Sequence, residues 1–450
     1  MTPSAPYPKR RRHSARAICA AGAGIRAAVF LAGSLLCSTQ LTAQNDSTSG
    51  VRIGLTYTPG TRPGVFVAPV AGAWSDSVRA ILGRDLDNGD RVTAILAQGG
   101  EPLSGALNYA AYAKLGANAV VQASVTPSGS LHVALHDVVA KNVSNVGDFP
   151  LPAQPLSAEW RLAVHGVADE VERWVTGTRG IAQSRVVFAR EQGGGLWIVD
   201  SDGANARPMG VPTGLSPAWH PSGRYIAFCD MTNEGTKIAL RDVVTGRTQR
   251  VSSRPGSNIS PAFSPDGSTL AFSAGEDGMD IFAVNPFNGE PAHRVTISRG
   301  VQDALPSFSP DGRRIAFTSN RLGHPEVYIV DADGTNVELL TSTGFGDQLY
   351  RSNPDWSPDG RRVAFQSQIN GVFQVMTINV RDHSVQALTS EGRNEDPSWA
   401  PDGRHIVFTS TRSGPKQLWV LDTETYRTRQ LTRLGLARQG AWSPRLDNAK

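Results

Sequence analysis

The sequence predicts an α/β N-terminal domain followed by an all-β six-bladed β-propeller. Two observations carry the propeller. A short motif recurs five times at a blade-length period, and two half-motifs stand at opposite ends of the repeat region. The motif is Pro, any residue, an aromatic, a small residue, then Pro-Asp-Gly or its variant. It reads Pro217-Ala218-Trp219-His220-Pro221-Ser222-Gly223, Pro261-Ala262-Phe263-Ser264-Pro265-Asp266-Gly267, Pro306-Ser307-Phe308-Ser309-Pro310-Asp311-Gly312, Pro354-Asp355-Trp356-Ser357-Pro358-Asp359-Gly360 and Pro397-Ser398-Trp399-Ala400-Pro401-Asp402-Gly403. Its glycines are 44, 45, 48 and 43 residues apart, the length of one four-stranded blade.

Each repeat has the same grammar. Proline fixes φ and glycine accepts a positive φ, so Pro-Asp-Gly reverses the chain tightly. A strand such as Arg314–Ser319 follows, then a third strand, Glu326–Asp331, the turn Ala332-Asp333-Gly334, and a fourth strand ending at Leu339-Leu340-Thr341. The motif aromatics Trp219, Phe263, Phe308, Trp356 and Trp399 are expected to pack between blades. A side chain repeated five times is a poor candidate for catalysis.

The two half-motifs close the ring. Ala441-Trp442-Ser443-Pro444 ends without Asp-Gly, whereas Arg185–Arg190 and Leu196–Asp200 begin the repeat region without a motif before them. Joined, they make a sixth blade. Closure removes exposed sheet edges that would invite aggregation.

Residues 51–178 lack the repeat and read as α/β. Strands are expected at Val51–Leu55, Val65–Val70, Ala119–Val125 and Leu131–Leu135. Ser75-Asp76-Ser77 is expected to cap a helix carrying Val78, Ile81, Leu82 and Leu86. A further helix is expected through Ala110–Leu115. A final one runs from about Ser157 to Val175, with Trp160, Val164, Val167, Val171 and Val175 on one face. Residues 178–184 read as the linker to a propeller spanning 179–450.

Residues 1–43 read as a cleaved secretory signal. Lys9, Arg10, Arg11, Arg12 and Arg16 precede the apolar run 27–36, which is short for a membrane span, and Leu41-Thr42-Ala43 offers a cleavage site. Residues 44–50 form a tail. The chain has 44 basic and 40 acidic residues. Six of the bases and none of the acids lie in the leader, so the remainder stands at 38 bases against 40 acids. That balance gives no argument for nucleic acid or an anionic membrane surface. Of three cysteines only Cys229 lies beyond the leader, so no internal disulfide is expected.

Enzymatic signatures are missing. There is no Gly-x-Ser-x-Gly elbow, Walker loop or Cys-x-x-Cys. His132 and His136 have a metal-like spacing but fall on a strand, where solvated side chains are the simpler reading. Gly193-Gly194-Gly195 precedes no helix and is no phosphate cradle. The turn Asp331–Gly334 needs no calcium. No cofactor and no metal are expected.

His165-Gly166-Val167-Ala168-Asp169-Glu170-Val171, followed by Thr176-Gly177-Thr178-Arg179-Gly180, resembles the junction of the TolB family, periplasmic propellers of the Tol–Pal system. Arg84–Asn88, Gly116–Val121 and the terminal Ala441–Pro444 are similar to that family too. The resemblance covers about residues 51–446. It implies a non-enzymatic, periplasmic scaffold. Such a scaffold would bind a peptidoglycan-associated lipoprotein at the propeller mouth and inner-membrane Tol proteins through the N-terminal region, in outer-membrane integrity and constriction at division. The mouth residues it implies are Ser257, Asn258, Ser260, Asp303, Ala304, Arg351, Asn353, Asn394 and Glu395. The histidine usual at position 257 is replaced by serine, and residues 44–50 are unlike the family's tail. Two alternatives stay open. One is a propeller lyase or hydrolase acting on polysaccharide, which would need clustered His, Asp or Glu in the channel. The other is a periplasmic sensor of a small ligand.

Overall fold

In the computed structural model the described residues are 62–447, apart from 98, 192–193, 234, 253 and 342–349. The leader, the tail, the strand expected at Val51–Leu55 and Gly193 lie outside them. Among the described residues no helix is long and apolar enough to cross a membrane.

The first part is a five-stranded sheet with helices on it. In chain order it comprises β1 (Gly64–Val67), α1 (Ser75–Asn88), β2 (Thr93–Ile95), α2 (Tyr109–Lys114), β3 (Ala117–Val125), β4 (Ser130–Asp137), β5 (Asn142–Pro150) and α3 (Ala158–Thr176). The strand order is β2-β1-β3-β4-β5. β1 lies parallel to both neighbours, and β3 to β5 form an antiparallel meander. α1 and α3 bury Val78, Ile81, Leu82, Leu86, Trp160, Val164, Val167, Val171 and Val175 against Val65, Val67, Val121 and Val133 of the sheet. Ser157 caps α3, its Oγ accepting from Trp160 N at 3.2 Å, and Gly177 ends it at φ 78°. α1 departs from its expected cap. It starts at Ser75, and Trp74 holds the cap position in a left-handed conformation with no side-chain bond.

The propeller has six four-stranded blades. Blades 1 to 5 span 214–250, 257–294, 303–339, 351–387 and 394–430. Blade 6 joins both ends of the repeat region: Ala437–Trp442 pairs antiparallel with Arg185–Arg190, followed by Gly195–Asp200 and Arg207–Val211. Trp442 Nε1 donates to Ser184 Oγ at 2.8 Å and fixes that closure.

Each second strand carries one fully buried phenylalanine: Phe188, Phe228, Phe272, Phe317, Phe365 and Phe408. Apolar clusters run between blades. Trp356 packs with Ala316 and Ile329 of blade 3 and Phe365 of blade 4, and Trp399 packs with Ala364 and Phe408 in the same way. The turn before the outer strand also meets the preceding blade. Gly334 has φ 87°, and a Cβ there would sit 2.3 Å from Val295 O. Gly334→Ala is expected to lower stability by about 1–3 kcal/mol through steric conflict and positive-φ strain, readable as a lower urea midpoint with unchanged slope.

Both parts meet at the end of the propeller bearing the Pro-Asp-Gly turns, over blades 5 and 6. The inner strands start at the other end, where the sequence places the mouth.

Candidate binding mouth and interdomain seam

The inner strands of all six blades share one irregularity. Each carries a β-bulge between its mouth end and its aromatic. At the bulge stands a non-glycine residue with φ between 46° and 59°: Ser216, Ser260, Leu305, Asn353, Asp396 or Gln439. Left-handed backbone at such residues costs of order 1 kcal/mol each. The bulge bends each strand and aims its side chain into the central channel. In five blades a motif proline follows at once; Gly440 takes its place in blade 6.

These residues, the prolines and the aromatics line a cavity of about 350 Å³. Its walls hydrogen-bond from blade to blade. Asn353 Nδ2 of blade 4 donates to Asp396 Oδ1 of blade 5 at 2.6 Å, and within blade 5 Thr409 Oγ1 donates to Asp396 Oδ2 at 3.1 Å. Ser216 N donates to Gln439 Oε1 at 3.1 Å. Deeper in, Asp355 accepts from Trp399 N at 2.7 Å and Ser307 Oγ at 3.3 Å. Burial pushes the Asp355 carboxyl up to about 6 and also raises that of Asp396. Among the described residues no histidine lines this cavity.

The nine mouth residues named from sequence divide into three groups. Ser260 and Asn353 face the channel. Ser257 is exposed at the rim; Ala304, Arg351 and Glu395 are half-buried there, with Arg351 paired to Glu326 at 3.2 Å and Glu395 to Arg393 at 2.8 Å. Asn258, Asp303 and Asn394 are fully buried. Asp303 takes both oxygens to Arg321 Nη2 at 3.1 Å and accepts from Ser319 Oγ at 2.6 Å. Asn394 donates to Gln374 Oε1 at 2.7 Å, and Asn258 to the carbonyls of Arg254 and Gly256 at 3.0 Å. The expectation that these three present polar groups to a partner is therefore corrected. Asp303 staples the strand start to its own blade, Asn394 to Gln374 of blade 4, and Asn258 to the link from blade 1, because an unpaired polar group there would be costly. Channel-facing residues missing from that set are Ser216, Leu305, Asp355, Asp396 and Gln439. For Ser216, Leu305 and Asp396 the signal was the position directly before the motif proline, two residues after the staple position; Gln439 holds the same place before Gly440, and Asp355 directly follows its proline.

The second concentration of charge is the seam. His165 of α3 lies between Asp85 of α1, at 2.6 Å from Nδ1, and Asp200 of blade 6, at 3.7 Å from Nε2. Asp200 also takes Arg161 at 3.0 Å and Arg185 at 3.1 Å. In blade 5, His405 lies between Asp402 at 2.8 Å and Asp90 at 3.3 Å. Each side thus lends a histidine to an aspartate of the other. Burial opposes both charged imidazoles, but the neighbouring carboxylates win, raising His165 to about 10 and His405 to about 9. Burial likewise pushes the Glu172 carboxyl up to about 8 and that of Asp169 to about 7. His132 and His136 take different partners. His132 bonds Asp148 at 2.8 Å, whereas His136 bonds Tyr109 Oη and Gln122 Oε1 at 3.2 and 3.0 Å.

Residues 172–446 match the family model described as the TolB beta propeller domain. The chain belongs to the TolB β-propeller family. It is 34% identical over 208 residues to the Tol-Pal system protein TolB of Methylococcus capsulatus, covering 43% of this chain and 49% of that protein. It is 30% identical over 218 residues to the Tol-Pal system protein TolB of Haemophilus influenzae, covering 44% and 50%. The chain spans about half the length of the curated relatives it matches. The crystal structure of TolB from Acinetobacter baumannii shares the fold, with a TM-score of 0.73, 24% identity and coverage of 86% of this chain and 98% of that one.

Proposed function

We propose that this TolB-family chain is a periplasmic protein-binding scaffold of the Tol–Pal system, exported by a cleaved leader. Its propeller mouth takes a segment of a peptidoglycan-associated lipoprotein, and its N-terminal region engages inner-membrane Tol proteins, coupling the outer membrane to constriction at division. One observation carries this reading. The six blades repeat their turns, aromatics and core phenylalanines, yet the channel-facing bulge residue differs: Ser, Ser, Leu, Asn, Asp and Gln. A uniform scaffold with a non-uniform reading surface suits recognition of one asymmetric protein segment. A hydrolase or lyase would need clustered acid–base groups, and among the described residues that line the cavity Asp355 and Asp396 are the ionisable side chains.

The test is a pull-down from detergent-solubilised envelopes. The native chain is expected to retain a peptidoglycan-associated lipoprotein, and a Ser260→Arg/Asn353→Arg double variant to lose it, because two long cations would fill the channel opening. Stabilities are compared first, so that lost binding is not lost folding. Equal recovery by both proteins would move the binding site away from the mouth, and no recovery by the native chain would refute the scaffold reading.

A further inference from the structure

Beside the seam, a cleft of about 540 Å³ opens between the C-terminal half of α1, the turn after Asp200 and the outer strand of blade 5. Arg84, Asn88, Asp202, Gln430, Arg429 and Arg433 line it. Among the described residues its one carboxylate is already committed: the buried Asp202 side chain takes Arg84 at 2.7 Å and Arg161 at 2.9 Å. Arg429 has no such partner. One Nη2 bond to Ser201 O at 3.0 Å is its sole hydrogen bond among the described residues, and its Nε is buried without a partner. Burial lowers its guanidinium to about 10. Arg433 stands exposed at the opening, in no ion pair among the described residues.

Asp85, Asp90 and Asp202 act on this guanidinium from a distance, but a buried Nε–H with no acceptor is costly, and the planar fork matches an oxyanion. Asn88 and Gln430 add amide groups on the same walls.

We propose that this cleft binds a small oxyanion, a phosphate or carboxylate group, with Arg429 and Arg433 as its ligands. The site is separate from the propeller mouth and independent of the scaffold reading. Because it touches α1 on one side and blades 5 and 6 on the other, an anion there would hold the two parts together.

The test titrates inorganic phosphate, and separately succinate, into the full chain at constant ionic strength set with chloride, followed by calorimetry and by phosphorus NMR for phosphate. Saturable binding to one site is expected. Arg429→Gln and Arg433→Gln should each weaken it roughly tenfold or more, the loss of one charge-assisted contact. Arg433 is exposed, so its variant keeps the test valid if Arg429→Gln fails to fold. Binding of phosphate alone assigns a phosphate site, and binding of succinate assigns a carboxylate source. No saturable binding of either, or binding unchanged in the folded variants, overturns the proposal.

Discussion

Asp200→Ala is expected to destabilise the protein by about 3–5 kcal/mol and to loosen α3 from the propeller. The carboxylate is fully buried, and burial alone would favour its protonation. The His165 hydrogen bond and the Arg185 and Arg161 guanidiniums outweigh that term and hold it far below the usual carboxylate range. Truncation leaves three cationic side chains without the carboxylate they share, a heavier loss than removing one of several donors. Arg161→Ala, which leaves Arg185 and His165 on Asp200, should cost much less. Thermal melts of both variants check the ranking, and hydrogen exchange over residues 158–165 checks the location. If Asp200→Ala melts within about 1 °C of the native chain, the seam does not hold the two parts together.

The same seam shows what the sequence could not reveal. The propeller was legible because its turns need particular residues at fixed intervals, and because Ala441–Pro444 and Arg185–Arg190 are complementary halves of one blade. The seam was not, since the counterparts of Asp402 are ordinary turn residues in blades 2, 3 and 4. Asp266, Asp311 and Asp359 accept from the serines two residues before them, Ser264, Ser309 and Ser357, at 2.5–2.6 Å. In blade 5 that serine is Ala400, so Asp402 is free to hold His405 and Arg91. His405 itself stands where other blades have Thr269, Arg314 or Arg362. Two departures from the repeat in one turn were the available signal, but their partner Asp90 lies 315 residues away in the chain. The mouth was half legible for a related reason. Its strands begin with a polar residue that reads as loop, yet strand pairing buries that side chain and exposes the one two positions later.

The second large effect is a loss of stability with rising pH. His165 and His405 are raised above the unfolded value of about 6.5, to about 10 and about 9. Below 6.5 both states bind these protons and the stabilisation is complete. Above it the unfolded chain releases them first, so stability falls by up to about 1.4 kcal/mol per pH unit for each histidine until the folded-state values are passed. The raised carboxyls have the same sign at lower pH: Asp169 and Glu172 keep their protons in the folded state up to about 7 and 8, so stability declines as the pH climbs from their unfolded values. The depressed carboxylates Asp200, Asp402 and Asp422 act oppositely and lose stability only in acid. The melting temperature is therefore expected to be clearly higher at pH 6 than at pH 9.5. His405→Gln should flatten the slope between pH 6.5 and 9, because Asp402 and Asp90 then face a group that does not titrate. Equal melting temperatures at pH 6 and 9.5 would mean that the two imidazoles are neutral in the folded protein, and that the arginines alone neutralise the aspartates across the seam.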